Sequence, residues 1–209
     1  MTKMVNPFKS YQAFAPFWYR LLICFLVPIS LLVIGVKTFL VIPLILLPAI
    51  DVMADYWFLG GIQSKNYSGS TFLMTSARGR RVTQSAVIVD LIRRLLSILT
   101  VFAGWSVLRL LWVEKETVPA EELMLVILLC YFASTAGTVC SRFFGNIWVN
   151  VLAAQVVSNG CIFGYMLLSR IPAALAVDIG LGLLSLLVSV WAVKLATKRV
   201  KEGYYDTGI

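Results

Sequence analysis

Six stretches of this chain are each long and apolar enough to cross a membrane as an α-helix, and they leave little sequence for anything else. A transmembrane helix needs about 20 mostly apolar residues. A soluble domain of 209 residues has no core large enough to bury a chain that is 60% hydrophobic. The pattern therefore predicts an all-α membrane protein in one domain, residues 1–209. Its six predicted spans cover residues 17–36, 38–59, 85–113, 123–144, 146–168 and 172–195.

A basic connection between the second and third stretches is the longest polar segment of the chain. Residues 60–84 contain Lys65, Arg78, Arg80 and Arg81 and no acidic residue. Short segments of membrane proteins that are dense in Lys and Arg stay in the cytoplasm. We therefore expect residues 60–84 to form a cytoplasmic loop, which fixes the orientation of every helix in the bilayer.

The other cations agree with an orientation in which the N-terminus and the C-terminus are both cytoplasmic. Fourteen Lys and Arg residues then lie on the cytoplasmic side, and only Lys37, Arg109, Lys115 and Arg170 lie on or near the outer side. A bias of this kind is typical of membrane proteins in their native orientation. A chain with five spans would place the basic segment 194–201 outside, so the sequence favours six.

Aromatic residues are concentrated just before the first apolar stretch. Residues 6–18 include Phe8, Tyr11, Phe14 and Trp18. This composition fits a short amphipathic helix that lies along the cytoplasmic membrane interface. It also fits an ordinary aromatic belt at the start of a transmembrane helix, and the sequence leaves both interpretations open.

Charged residues inside two of the predicted spans form the first candidate site. Asp51 and Asp55 lie four residues apart, and so on one face of the second span, while Asp90, Arg93 and Arg94 begin the third. Ionisable groups in a bilayer are costly and usually pair or line water. Because the two spans are antiparallel, we expect carboxylates of one near guanidinium groups of the other. Such pairs would fasten the spans together, or they would line a wet inner cavity or couple motion between helices.

Two uncharged amides, Gln155 and Asn159, lie four residues apart in the middle of the fifth predicted span. An amide at that depth either hydrogen-bonds to another helix or faces a substrate path, because lipid tails offer it no partner. Of these two interpretations, the sequence favours a hydrogen bond between helices.

Small residues mark possible sites of close helix packing. Ala133 and Gly137 lie four residues apart in the fourth predicted span, and Gly160 and Gly164 form a GxxxG pattern in the fifth. Small side chains at this spacing let two helix backbones approach closely. We expect packing within the chain, with an interface between two subunits as the alternative.

The residues that usually carry catalysis or metal binding are scarce. Histidine is absent, and the four cysteines all lie in apolar segments without a CxxC pair. The chain also lacks the GxxxxGK[ST], GxSxG and HExxH patterns. We therefore expect no catalytic, cofactor or metal site in this chain. Its formal charge of +8 fits cationic edges against anionic lipid better than a nucleic-acid partner.

The segment 55–96, DYWFLGGIQSKNYSGSTFLMTSARGRRVTQSAVIVDLIRRLL, resembles the same region of small ABC-2-type permeases, the transmembrane subunits of ATP-binding cassette exporters. Six spans, an interfacial N-terminal helix and a long basic loop after the second span are similar to that family as well. The resemblance implies an N-terminal elbow helix, and a coupling helix in the loop that docks onto a separate P-loop ATPase. It also implies ATP and Mg²⁺ on that ATPase, a second copy or a related permease as a partner, and a place in the bacterial cell membrane.

The resemblance also indicates where coupling to the ATPase would occur. The stretch of the loop with most helical and apolar character contains the candidate coupling residues, which are Tyr67, Phe72, Leu73, Met74 and Arg78. The alternative is a basic loop that faces lipid and has no protein partner.

The implied function is export of a hydrophobic or amphipathic substrate, such as a peptide, a lipid or a drug, driven by ATP hydrolysis on the partner subunit. Two other functions stay open. One is the substrate-capturing membrane component of an energy-coupling-factor importer, which has a similar length and number of spans. The other is a membrane-embedded immunity or scaffold protein. A membrane-embedded lipid enzyme is disfavoured because histidine and clustered acids are missing.

Overall fold

Helices account for nearly all of the described chain. The computed structural model describes residues 6–38, 41–63, 73, 75–113, 119–144, 147–171 and 174–202, and these residues contain no β-strand. Two π-helical turns, Leu22–Leu26 and Arg109–Val113, follow the second and fifth helices. The α-helices, in chain order, are α1 (Pro7–Phe14), α2 (Phe17–Leu21), α3 (Val27–Thr38), α4 (Val41–Gln63), α5 (Ala77–Leu108), α6 (Ala120–Phe144), α7 (Ile147–Leu168) and α8 (Ala174–Glu202).

Five helical segments of the described chain are long and apolar enough to cross a membrane. The prediction of an all-α membrane protein is therefore confirmed, and the chain is a multi-pass membrane protein. Helix α5, which covers most of the predicted third span, is not among the five, so the sixth span stays a prediction. The five segments are Phe17–Ile34, Ile42–Leu59, Ala120–Phe143, Trp148–Leu168 and Leu175–Lys201.

The N-terminal helix α1 has clear start and stop signals. The side chain of Asn6 accepts hydrogen bonds from the backbone N–H groups of Phe8 and Lys9. Ala15 is extended because Pro16 follows it, and α1 therefore ends at Phe14. The helix is shorter than the predicted 6–18. The remaining aromatics, residues 17 and 18, belong to the next helix and are exposed.

The connection between α4 and α5 is shorter than the predicted loop 60–84. Helix α4 continues through Gln63, and α5 begins at Ala77, where Ser76 caps it by accepting a hydrogen bond of 2.8 Å from the Gly79 backbone N–H. The arginines of this segment are good helix formers, so the polar composition that predicts a loop also suits a helix end. The 32 residues of α5 span about 48 Å, more than the hydrocarbon core of about 30 Å.

Two apolar clusters give the bundle two distinguishable ends. One joins α1 and α2 to Phe58 of α4, Leu73, the start of α5 and Val200 of α8. The other joins α3 and the first half of α4 to the second half of α5, α6 and Cys161 of α7. Helix α1, Leu73, the start of α5 and the end of α8 therefore lie together, at what we call the α1 end.

Candidate functional site

The charged residues of α4 and α5 meet, as their spacing predicts. Arg93 Nη2 donates to Asp51 Oδ1 at 2.9 Å, and Arg94 Nη2 donates to Asp55 Oδ1 at 2.8 Å. The two helices run antiparallel here, and consecutive arginines of α5 reach carboxylates one helical turn apart on α4. These two ion pairs connect α4 to α5.

Asp90 orients both arginines from within α5. Its Oδ1 accepts from Arg93 Nε at 3.0 Å, and its Oδ2 accepts from Arg94 Nε at 2.8 Å. Residues three and four positions apart are neighbours on a helix surface, so one carboxylate can hold two guanidinium groups. With Nε fixed by Asp90, the Nη2 atom of each arginine points to α4.

A third arginine, Arg142 of α6, completes the set and was not among the predicted site residues. Its Nε donates to Asp55 Oδ2 at 2.8 Å, and its Nη1 donates to the Ala192 carbonyl oxygen of α8 at 2.8 Å. Ser134, also on α6, donates to Asp51 Oδ2 at 3.1 Å. The charge count is the signal that could have found Arg142, because the predicted set had three carboxylates against two guanidinium groups.

These six charged side chains, which we call the charge network, are almost completely shielded. None is more than 8% exposed, and Asp55, Asp90, Arg94 and Arg142 are fully buried. Each of the six carboxylate oxygens accepts at least one hydrogen bond. A buried ion pair is tolerated when its geometry is good and its remaining polar atoms are bonded. One atom of the network, Arg94 Nη1, is buried without a hydrogen-bond partner among the described residues. The other bonds connect α4, α5, α6 and α8, and every carboxylate oxygen is occupied by a donor.

The two uncharged amides of α7 lie on the outside of the bundle, in contrast to the buried charge network. Gln155 and Asn159 are both exposed on α7, and neither side chain hydrogen-bonds to any residue that the structure describes. The inner face of α7 instead presents Ser158, whose hydroxyl donates to the Ile45 carbonyl oxygen of α4 at 3.1 Å. Among the residues that the structure describes, the expected hydrogen bond from these amides to another helix is not formed, because both side chains are exposed on the outer face of α7.

The small residues predicted to allow close packing also divide into those that face a neighbouring helix and one that does not. A Cβ atom at Gly137 would lie 2.5 Å from Val52 of α4 and 2.7 Å from Val157 of α7, so three helices converge there. A Cβ atom at Gly164 would lie 3.1 Å from Leu129, while one at Gly160 would meet nothing within 4 Å. Of the predicted packing positions, Gly137 and Gly164 serve contacts within the chain, as does half-buried Ala133. Gly160 does not.

The predicted coupling residues separate into a buried and an exposed part. Leu73 is only 7% exposed and belongs to the apolar cluster at the α1 end. Arg78, in the first turn of α5, is exposed. The Leu73 side chain therefore belongs to the core and not to an exposed surface, and a role of this residue in coupling stays a prediction. Tyr67, Phe72 and Met74 lie outside the described residues.

Within the residues described, no group of three or more His, Cys, Asp or Glu side chains is arranged to hold a metal ion. The carboxylates of the charge network are occupied by arginines. Compared with known proteins, the chain matches no family model, no curated protein and no solved structure.

Proposed function

We propose that this chain is the transmembrane subunit of an ABC-2-like exporter in the bacterial cell membrane. A separate P-loop ATPase subunit binds ATP and Mg²⁺, and this chain converts hydrolysis into export of a hydrophobic or amphipathic peptide, lipid or drug. In this proposal α5 is the third of six spans, both termini are cytoplasmic, and α1 is the elbow helix on the inner leaflet.

The observation that carries the proposal is the connection of the α4–α5 segment to the rest of the bundle. Leu73 packs in one cluster with Tyr11 of α1, Phe58 of α4 and Val200 of α8. The charge network begins close by, since Asp55 precedes Gln63 by eight residues, or about 12 Å along the helix. A force applied to this segment would therefore reach α1 and α8 through packed side chains, and α6 through the ion pair between Asp55 and Arg142. A transmission element requires such connections.

The first turns of α5 offer a surface on which a partner can act. Arg78, Arg80 and Arg81 are exposed there, while Gly79 and Thr83 face inward. Because α5 is longer than the bilayer core, its basic first turns can extend beyond the membrane surface. This arrangement supports docking of an ATPase at the exposed face of these turns, with Leu73 anchoring the segment from the inside.

The exposed face of α7 supports a second subunit. Gln155, Asn159 and Gly160 lie there among apolar residues such as Leu152, Val156 and Phe163. Amides facing hydrocarbon have no partner, and a copy of the same face would supply both donors and acceptors. A dimer of this chain, or a pair with a related permease, would enclose the path for the substrate.

Purification of the tagged full chain from its host in mild detergent tests the proposal. We expect a stoichiometric P-loop ATPase in the eluate, and we expect Arg78→Glu to lower its recovery about tenfold through charge repulsion. Lys201→Glu is the matched control, because Lys201 is an exposed cation at the same end on α8, and it should retain the ATPase.

Three results would count against the proposal. Absence of an ATPase, under conditions that preserve known transporter complexes, would favour the immunity or scaffold function. An ATPase accompanied by a second large membrane protein would favour the importer function. Equal recovery from Arg78→Glu and the unmodified chain would remove the start of α5 as the docking surface.

A further inference from the structure

A cavity of about 430 Å³ lies at the α1 end, between α1, the helix that begins at Phe17, and α5. This volume is within the range of small-molecule sites. Its wall is mainly apolar and carries two charged residues, Arg20 and Arg93, with no acidic residue. The cavity shares Arg93 with the charge network but lies outside it, and it does not include the exposed first turns of α5.

Arg20 gives this cavity a positive charge that no acidic side chain of the described residues compensates. Arg93 is already paired with Asp51 and Asp90. Arg20 makes no ion pair with any described residue, and its Nε atom is buried without a hydrogen-bond partner. Arg20 is half-buried, so the cost falls on its buried, unbonded Nε–H group, and a bound anion would offset that cost. The charge in the wall therefore selects an anionic ligand.

The rest of the wall indicates that this anion has an apolar tail. Ile92, Leu96 and Thr100 recur every four residues, so they form one stripe along α5, and all three are exposed. All three line the cavity, and their exposed surfaces are open to contact with lipid tails. A ligand can thus place a polar group inside and leave an alkyl chain in the bilayer.

Tyr11 of α1 adds a neutral hydrogen-bond donor to the polar part of the wall. Its hydroxyl lies 3.9 Å from Cys24 Sγ. Burial, with a smaller contribution from the negative charge of Asp90, raises the pKa of Tyr11 well above its usual value. The hydroxyl therefore keeps its proton and can donate it to an anionic oxygen rather than repel one.

We propose that this cavity binds one anionic phospholipid from the leaflet that contacts α1. Its phosphate lies at Arg20 and one acyl chain lies along the stripe of Ile92, Leu96 and Thr100. The bound lipid fills the space under α1 and connects that helix to α5. The inference rests on the cavity, on Arg20 and on the stripe along α5, and it holds whether or not the chain couples to an ATPase.

Native mass spectrometry of the purified full chain tests this assignment, after incubation with phosphatidylglycerol or with zwitterionic phosphatidylcholine. We expect one phosphatidylglycerol molecule to stay bound preferentially. Arg20→Gln should weaken its binding by roughly tenfold or more, because a hydrogen-bonded charge pair is lost. Arg80→Gln is the matched control: it removes the same charge from an exposed site at the same end and should bind lipid like the unmodified chain.

A second variant tests the apolar part of the site and does not depend on the folding of Arg20→Gln. Leu96 is 57% exposed, so Leu96→Trp should fold while obstructing the stripe, and it should also reduce retention of phosphatidylglycerol.

The proposal is overturned if phosphatidylcholine binds equally well, or if Arg80→Gln loses as much lipid as Arg20→Gln. Unchanged retention in Leu96→Trp would show that no acyl chain lies on the stripe. Displacement of the bound lipid by millimolar inorganic phosphate would identify a free-anion site and refute the assignment to lipid.

Discussion

The charge network and the amide pair of α7 begin from the same sequence pattern and end in opposite environments. Asp51 and Asp55 are four residues apart in an apolar helix, and so are Gln155 and Asn159. The aspartates are buried and bonded on every oxygen, whereas the amides are exposed and without a partner in the described chain. The spacing alone therefore predicts one shared helix face and does not predict which way that face points.

The difference lies in what the neighbouring helices offer. Helix α4 faces arginines of α5 and α6, and an ionised carboxylate inside a bilayer requires such partners. Helix α7 packs its Ala154, Ser158 and Cys161 face against the bundle, which turns the amides outward. The fully buried charges of the network are paired within the chain, while the exposed uncharged amides of α7 are free to bond to a group from outside.

The largest effect should come from Asp55→Leu. Asp55 bonds to both Arg94 and Arg142, and its loss would leave Arg142 buried with only the Ala192 carbonyl as a partner. We expect the free energy of unfolding to fall by about 3–5 kcal/mol, the usual cost of breaking a buried pair. Unfolding of the purified chain in mixed micelles, titrated with denaturing detergent, measures this loss.

The double variant Asp55→Leu with Arg142→Met separates an uncompensated charge from a lost attraction. It removes both partners while Arg94 stays bonded to Asp90, so we expect it to be more stable than Asp55→Leu alone. A double variant that is as unstable as the single one would show that the charge of Arg142 is not the source of the loss.

Much of this network could be predicted from the sequence, because charges in apolar segments have few ways to be satisfied. The approach of Asp51 and Asp55 to Arg93 and Arg94 follows from an antiparallel pair of helices. The unequal charge count indicates a further cation but does not identify it as Arg142, which lies in the last turn of α6, where a cation can equally well face headgroups. Its bonds to Asp55 of α4 and to the Ala192 carbonyl of α8 together fix its inward direction.

The fold was predictable in class and less so at its boundaries. Apolar stretches indicate membrane helices, but a polar segment does not distinguish a loop from a helix that leaves the membrane. For that reason the sequence did not predict that α5 begins at Ala77, inside the predicted loop 60–84. Leu73 shows the same limit, because one apolar residue in a polar segment fits either a docking surface or a core. Its burial depends on α1 and α8, which are distant in sequence.

An intermediate effect should distinguish two glycines that the sequence treats alike. Gly137→Ala places a methyl group against Val52 and Val157, whose branched side chains have little freedom in a helix. We expect a loss of about 1–3 kcal/mol in the free energy of unfolding, as for other overpacked sites. Gly160→Ala has open space around it and should change stability by less than about 0.5 kcal/mol. Equal losses from the two variants would contradict the packing of α7 described above.

The smallest effect on stability, and the one that most sharpens the comparison, should come from Gln155→Leu and Asn159→Leu. Neither amide is bonded within the described chain, so the free energy of unfolding of the monomer should hardly change. If a second subunit covers this face, each substitution should weaken self-association by about 0.6 kcal/mol, the average for a hydrogen bond between membrane helices. Sedimentation equilibrium in density-matched detergent measures the association.

Val156→Leu is the control, because Val156 is apolar, exposed and on the same face. Weaker association in the amide variants but not in this control would show that the amides find their partners across the interface. Lower monomer stability in the amide variants would instead place their partners within this chain, and the contrast with the charge network would disappear.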